Sequence, residues 1–252
     1  MVELNAVVDF WDDLLRIAEV KDFPNAFNGL QLENPGSVTK IAAAVDAAEA
    51  VIDAAVAAGA DLLLVHHGML WGGAAPLRGP VYRKWYRAIS AGLAVYSAHL
   101  PLDAHPEFGN NVRLCRALGF GDGEPFFDEL GTPIGRRVEV DLPRDELMLR
   151  VTSAVDGGPV GLAPGGPATV RQLGIVTGGA GSQIATAAKL GVDTFLTGEG
   201  PHWTYTLAEE LGVNLIYAGH YATETFGVKA LAAATSARFG VPWEFIDHPT
   251  GR

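Results

Sequence analysis

The stretch YSAHLPLD at residues 96–103 returns later in the chain as YAGHYATE at residues 217–224. In both copies a histidine precedes a carboxylate by four positions, since His99 precedes Asp103 and His220 precedes Glu224. Each copy opens at the end of a short apolar run, which is typical of a buried strand. The repeated pattern therefore predicts two similar strands that each end in polar side chains.

A second alignment supports an internal duplication. The stretch GADLLL at residues 59–64 matches GVDTFL at residues 191–196. The first run leads to His66-His67-Gly68, and the second leads to Gly198-Glu199-Gly200. We interpret the two halves as copies that share one polar site.

The order of predicted elements indicates the fold class. In the first half, strands at 41–45 and 62–65 flank an alanine-rich helix at 47–58. The second half repeats strand, helix and strand at 173–176, 184–190 and 194–197. This alternation favours a parallel sheet with crossover helices. We predict an α/β protein with two similar lobes, residues 1–120 and 171–252, and a metal site in the cleft between them.

Segments outside the repeats complete the prediction. An amphipathic helix is expected from Leu4 to Val20, and a turn at Asn28–Gln31. Residues 121–170 have no counterpart elsewhere in the chain and are predicted to connect the lobes. We predict for them a strand at 135–140, a helix at 144–155 and a glycine- and proline-rich loop at 157–167.

Composition excludes several classes of protein. The 252 residues carry a formal charge of −11, which disfavours general nucleic-acid binding and suits a bound cation. A single cysteine, Cys115, excludes an internal disulfide and a thiolate-rich metal site. Neither a signal peptide nor a membrane span is recognisable, so we expect a cytoplasmic protein.

His66 and His67 are candidate metal ligands. Neighbouring side chains within a strand point to opposite faces, so the pair could not bind one ion there. Past the strand end, Gly68 lets the backbone turn so that both rings meet one ion or each meets a different ion. A surface loop whose histidines only form hydrogen bonds is the alternative.

His220 and Glu224 lie four positions apart where a helix is expected to begin, so both can share one face. Imidazole and carboxylate suit zinc, manganese, iron, nickel or cobalt. Structural roles are the alternatives: Glu224 would complement the helix dipole, and Asp103 would serve as a cap or turn residue. Because these groups occur together in duplicated segments, we favour coordination.

The stretch TGGAGS at residues 177–182 lies between a predicted strand and helix. Gly178, Gly179, Gly181 and Ser182 could cradle a phosphate with their backbone N–H groups. A glycine turn that requires positive φ is the alternative. The equivalent first-half segment carries Asp46 and Glu49, which would repel an anion.

Glu199 and His202 stand where the first copy has its histidine pair. They are candidate proton-transfer groups, and a structural loop with an exposed carboxylate is the alternative.

These motifs together resemble a known family. The stretches NGLQ (28–31), HHG (66–68), HLPLD (99–103), GGAG (178–181) and GHYATE (219–224) are similar to motifs of the NIF-three-like dinuclear-metal-centre proteins, often labelled GTP cyclohydrolase type 2 homologues. The resemblance runs nearly end to end. It implies two α/β lobes, a toroidal homohexamer and two divalent transition-metal ions per chain. Zinc, manganese and iron all suit the nitrogen and carboxylate ligands. The implied ligands are His66, His67, Asp103, His220 and Glu224.

Within that resemblance, Glu224 is expected to bridge the two ions. His99 is expected behind the ligands, where it holds Asp103 or a metal-bound water. His99 thus joins Glu199 and His202, the candidate proton-transfer groups, as a catalytic candidate.

Two functions follow as hypotheses. The first is a metal-dependent hydrolase, GTP cyclohydrolase-like, that acts on a nucleotide or another phosphorylated small molecule. The second is a non-catalytic ring that acts as a metal-binding scaffold or as a metal-trafficking or regulatory protein. Five protein ligands for two ions leave open coordination positions, and this favours the enzyme.

Overall fold

Short apolar runs alternate with helices along the chain and build two mixed sheets, which confirms the predicted α/β class. The computed structural model describes residues 1–73, 75–156 and 158–251. By their internal contacts these residues form two compact units. The first unit is Met1–Leu102 with Gly227–His248, and the second is Asp103–Phe226 with Pro249–Arg252.

The strands, in chain order, are β1 (Val2–Glu3), β2 (Gly29–Leu32), β3 (Ser37–Val38), β4 (Ile41–Asp46), β5 (Leu62–His67), β6 (Ala94–Ser97), β7 (Glu124–Glu129), β8 (Thr132–Pro143), β9 (Gly161–Pro164), β10 (Thr169–Ile175), β11 (Thr194–Thr197), β12 (Asn214–Tyr217) and β13 (Trp243–Phe245). The helices are α1 (Leu4–Leu15), α2 (Glu49–Ala57), α3 (Gly79–Ala91), α4 (Leu100–Asp103), α5 (Asn110–Ala117), α6 (Arg144–Ala154), α7 (Ile184–Lys189), α8 (Trp203–Leu211) and α9 (His220–Phe239). A 3₁₀ turn, Ala180–Gln183, precedes α7.

The sheet of the first unit has the order β13-β4-β5-β6-β2. Strands β13, β4, β5 and β6 run parallel, and β2 pairs antiparallel with β6. The run LLLV at the start of β5 is buried throughout, as expected for a central strand covered on both faces. Trp11 of α1 lies in the core of this unit, where its indole N–H donates to Thr235 of α9 over 2.7 Å.

The sheet of the second unit has the order β7-β8-β10-β11-β12-β9. Strands β10, β11 and β12 run parallel, and β9 pairs antiparallel with β12. Each sheet thus contains a run of three parallel strands that are consecutive within the sheet, β4-β5-β6 or β10-β11-β12, followed by an antiparallel edge strand, which is consistent with the predicted duplication. The predicted connecting segment, 121–170, supplies β7, β8, α6 and β9 to this unit.

Helix α1 is shorter than its apolar periodicity predicts. It ends at Leu15 instead of Val20, because Arg16 takes a left-handed conformation with φ of 54°. The Arg16 N–H then bonds the carbonyl oxygens of Asp12 and Asp13, and the helix closes there. Ala18, which lies beyond this helix end, is exposed.

Two segments predicted as turn or loop contain edge strands. Gly29–Leu32 forms β2, and Gly161–Pro164 within the predicted loop 157–167 forms β9. Residue 157 itself lies outside the described residues. Edge strands tolerate glycine and proline because one of their sides needs no ladder hydrogen bonds. Their composition therefore resembles that of a loop, and only the neighbouring strand reveals the pairing.

Among the described residues, no helix, including the 20-residue α9, combines the length and the apolar character that crossing a membrane requires.

Candidate metal-binding residues

Three histidines meet at the carboxyl edge of the first sheet. His66 and His67 end β5, and His99 follows β6, the neighbouring parallel strand. One ring nitrogen from each lies within 4.8 Å of one nitrogen of each of the others. His66 and His99 are buried and His67 is partly buried. This spacing suits three donors around one small cation.

Each of these rings is held through Nδ1 by an oxygen atom. Nδ1 of His66 lies 2.8 Å from the carbonyl oxygen of Ala98. Nδ1 of His67 lies 2.9 Å from Asp46 Oδ1, and Nδ1 of His99 lies 2.9 Å from Asp22 Oδ1. Carbonyl and carboxylate oxygens accept hydrogen bonds, so Nδ1 carries the hydrogen in each neutral ring and Nε2 carries the lone pair. Histidines that bind metals are typically held in this way.

The pair His66 and His67 departs from the prediction in one respect. Both residues still belong to β5, since His67 pairs with Asp46, whereas we expected them to lie beyond the strand end. Their ring centroids are nevertheless 4.9 Å apart. The His66 ring is hydrogen-bonded to Ala98, which follows β6, and the His67 ring is hydrogen-bonded to Asp46, which ends β4. Each ring is therefore anchored beside a different neighbouring strand. At the last positions of the strand, these anchors bring both rings to the same edge.

Asp22 holds the His99 loop, and the sequence did not single it out. Its carboxylate accepts hydrogen bonds from His99 Nδ1, from the Leu100 N–H over 2.9 Å and from Asn28 Nδ2 over 2.7 Å. Burial raises the pKa of this carboxyl, but the hydrogen bond and the charge of His99, together with Asn28 and the Phe23 N–H, outweigh it and leave the pKa lowered. Asp22 therefore stays ionised as an acceptor for the imidazole.

The motif at residues 28–31 positions both histidine loops. Asn28 Oδ1 accepts the His99 N–H over 2.7 Å. Gln31 Oε1 accepts the Met69 N–H over 2.7 Å, just beyond the histidine pair. A Cβ atom at Gly68 would collide with the Gln31 side chain, so this close approach requires glycine. The resemblance motifs NGLQ and HHG are thus parts of one local arrangement.

In the second unit, His220 and Glu224 lie on one face of the first turns of α9. Nε2 of His220 is 3.1 Å from Glu224 Oε2, and its Nδ1 is 3.0 Å from Glu199 Oε1. Burial lowers the pKa of His220, but hydrogen bonds to and charges of Glu224 and Glu199 outweigh it and raise the pKa to about 9. The position between the two carboxylates therefore favours a positive charge, which is the electrostatic condition for binding a cation.

The glycine loop packs directly against this pair. Gly178 has φ of +71°, and a Cβ atom there would collide with Glu224 Oε1. Its N–H donates to Thr223 Oγ1 over 3.0 Å, and the Gly181 N–H donates to the Glu199 carbonyl over 3.0 Å. Two backbone donors of the predicted phosphate loop are therefore used within the protein. The close approach to Glu224 explains why residue 178 is a glycine. The phosphate role of Gly178, Gly179, Gly181 and Ser182 stays a prediction.

The remaining candidates occupy different surroundings. Asp103 is buried and accepts a hydrogen bond from Asn110 Nδ2 over 2.8 Å. Glu199 contacts His220 Nδ1, so it orients the ring. His202 is exposed at the residue before α8, and no close group of metal-ligand atoms found among the described residues includes it. His99, expected behind the ligands, lies in the same group as His66 and His67.

Comparison with known proteins points to one family. The family model Duf34/NIF3 (NGG1p interacting factor 3) matches residues 2–250. A protein of Deinococcus radiodurans named GTP cyclohydrolase 1 type 2 homolog is 43% identical over 248 residues, which span 97% of this chain and 93% of that protein. A protein of the same name from Pyrococcus horikoshii is 40% identical over 252 residues, which span 99% of this chain and all of that protein.

Solved structures show the same fold. The protein TTHA1606 from Thermus thermophilus superposes with a TM-score of 0.88 at 40% identity, and all of both chains is covered. The protein ybgI, described as of unknown function, superposes with a TM-score of 0.91 at 34% identity over all of both chains.

Proposed function

We propose that this chain, which belongs to the Duf34/NIF3 family, is a divalent-metal-dependent hydrolase that acts on a nucleotide or another phosphorylated small molecule. The relatives carry the name GTP cyclohydrolase 1 type 2 homolog, so GTP is the first substrate to test.

One observation carries the proposal: four histidines share the same hydrogen-bonding arrangement. His66, His67, His99 and His220 each have Nδ1 within 3.0 Å of an oxygen acceptor. In His66, His67 and His99 the basic nitrogen is therefore Nε2, whereas Nε2 of His220 faces Glu224 Oε2 over 3.1 Å and would bind a cation in exchange for its proton. Metal-binding histidines are held by an oxygen acceptor at the nitrogen that does not bind the ion, and all four rings have such an acceptor at Nδ1. Nitrogen and carboxylate donors without thiolate suit zinc, manganese or iron.

The number of ions rests on the family resemblance. We propose that the histidine group of the first unit and the His220–Glu224 pair of the second serve two ions, with Asp103 as a further ligand. His99 joins His66 and His67 in this proposal because its nitrogen lies in the same close group.

The chain's own residues would orient ligands and hold protons. Asp22 and Asp46 fix the tautomers of His99 and His67, and Glu199 orients the ring of His220. Glu224, which is buried beside Gly178, supplies negative charge. Divalent ions bound here would supply Lewis-acid chemistry and lower the pKa of water. Glu199 is more exposed than Glu224 and remains a candidate for proton transfer.

The test combines metal analysis with a substrate screen. We expect the purified protein, prepared without chelator, to contain about two transition-metal ions per chain. Metal-loaded protein should hydrolyse GTP or another phosphorylated compound, and chelated protein should not until metal is restored. A loaded protein without turnover across nucleotides and phosphoesters would instead support the scaffold function.

Homohexamer assembly also rests on the resemblance. Light scattering coupled to size exclusion should give a mass of about six chains, and a monomeric mass would contradict this part of the proposal.

A further inference from the structure

Trp71 packs at a steep angle against two of the three clustered histidines, with interplanar angles of 56° to His67 and 74° to His99. Its ring centroid is 4.8 Å from that of His67 and 4.6 Å from that of His99. The side chain remains 39% exposed. One part of the indole thus covers the metal-ligand candidates while another part faces solvent.

A second aromatic ring flanks His99. The centroid of Phe23 is 6.2 Å from that of His99, and the side chain is 45% exposed. The Phe23 N–H donates to Asp22 Oδ1 over 2.6 Å, so the carboxylate that holds His99 also fixes the backbone of Phe23. Two partly exposed aromatic rings are therefore placed beside the same imidazole.

Exposed aromatic surface beside convergent polar groups is characteristic of a ligand site. Keeping apolar rings in contact with water is unfavourable, since burial of their surface would be stabilising. Aromatic rings stack with planar π-systems, and nucleic-acid bases use this interaction whatever their sequence because every base has a π-face.

We propose that Trp71, together with Phe23, forms a stacking platform for a planar heteroaromatic ring of the purine type. A ligand stacked there would present its polar groups to the histidine cluster. The inference rests on the proposed function, and it adds the residue that selects the ring. Trp71 is then a substrate-binding residue that takes no part in proton transfer.

Shielding of the histidines from water is the competing role for Trp71. In that case, removal of the indole would alter metal binding without a specific effect on ring binding. The two roles are separated by measuring both quantities in the same variants.

The experiment is calorimetric titration of the metal-loaded protein with guanosine, an uncharged purine nucleoside. Ribose 5-phosphate, which has no aromatic ring, is the matched ligand control. We expect Trp71→Ala to raise the guanosine Kd by about 5- to 150-fold, the range that loss of one base–aromatic stack gives. Trp71→Phe keeps a π-face and should stay within about threefold of the wild type.

Tyr86→Ala serves as the variant control. Tyr86 is an exposed aromatic residue of α3 whose ring stacks on Tyr82 at 5.6 Å. The Tyr86→Ala substitution should leave the guanosine Kd and the metal content unchanged. If Trp71→Ala loses its metal, Trp71→Leu is used as the test variant in its place. Leucine covers the histidines but has no π-face.

Equal guanosine affinity in wild type, Trp71→Ala and Trp71→Leu would overturn the platform, and so would the absence of guanosine binding to the wild type. If guanosine binding depends on Trp71 but the substrate screen finds no hydrolysis, the stacking platform would stand and the hydrolase proposal would be rejected. Hydrolysis with the same KM in wild type and Trp71→Ala would reject the platform and keep the hydrolase.

Discussion

Nδ1 of His220 lies 3.0 Å from Oε1 of Glu199. The other ring nitrogen lies 3.1 Å from Oε2 of Glu224, so a single imidazole is held between two carboxylates. In the absence of a metal, this arrangement favours the protonated ring, and a divalent cation would compete with that proton.

The stability of the metal-free protein should therefore depend on the protonation of His220. Its pKa is raised from an ordinary 6.5 to about 9 in the folded protein, so the folded state binds the proton more tightly than the unfolded chain. The resulting stabilisation is fully present below about pH 6.5 and is lost as the pH rises through about 9. Denaturant unfolding of chelated wild type and His220→Gln should show a difference in unfolding free energy that shrinks over this range. A difference that stays constant from about pH 6 to 10 would contradict the assignment.

Glu199→Gln should weaken metal binding while leaving the fold intact. Glutamine keeps the shape of the side chain but removes the charge that favours the Nδ1–H form of His220. We expect metal affinity to fall by about 10- to 100-fold, the usual effect of losing a group that orients a ligand. The pKa of His220, followed by NMR in the metal-free protein, should fall because Glu199 is one of the two carboxylates that raise it. Glu209→Gln, an exposed change on α8, is the matched control and should alter neither quantity.

The strands and the histidines at their ends could be predicted because the signal is local. Four short apolar runs each reach a histidine or a glycine within two residues of their end, and the parallel order brings these ends to an edge of a sheet. The two edge strands β2 and β9 could not be predicted, because their pairing with β6 and β12 is set by residues distant in sequence.

The anchoring carboxylates escaped prediction for the same reason. Asp22 is 77 positions from His99, and Asp46 is 21 positions from His67, so no spacing rule links them. The sequence places Asp22 just beyond the predicted helix Leu4–Val20, and it indicates for Asp46 only a charge that would repel an anion. The strand order supplies the only signal, since Asp46 ends the strand beside β5.

Asp22→Asn tests this long-range anchor. The amide keeps one oxygen acceptor but loses the charge that favours the Nδ1–H form of His99. We expect metal affinity in a competitive chelator titration to fall by about 10- to 100-fold. Asp9→Asn, an exposed change on α1, should have no effect. Unchanged affinity in Asp22→Asn would remove His99 from the proposed ligand group.

Gly178→Ala and Gly179→Ala should separate the packing role of the glycine loop from its predicted phosphate role. A Cβ at Gly178 would collide with Glu224 Oε1 at a positive φ, so the carboxylate must move and metal affinity should fall. Overpacking of this kind destabilises by about 1 to 3 kcal/mol. A Cβ at Gly179 would lie 3.6 Å from His220 Cε1, an ordinary contact, so Gly179→Ala should keep its metal and its stability.

The phosphate prediction then depends on a larger side chain at the same place. Gly179→Val should block close approach of an anion to the backbone and raise the KM for a phosphorylated substrate, with metal content unchanged. An unaltered KM would show that the glycines serve only to let the loop approach Glu224. That result would remove phosphate binding from this loop, and it would leave the metal-binding residues as proposed.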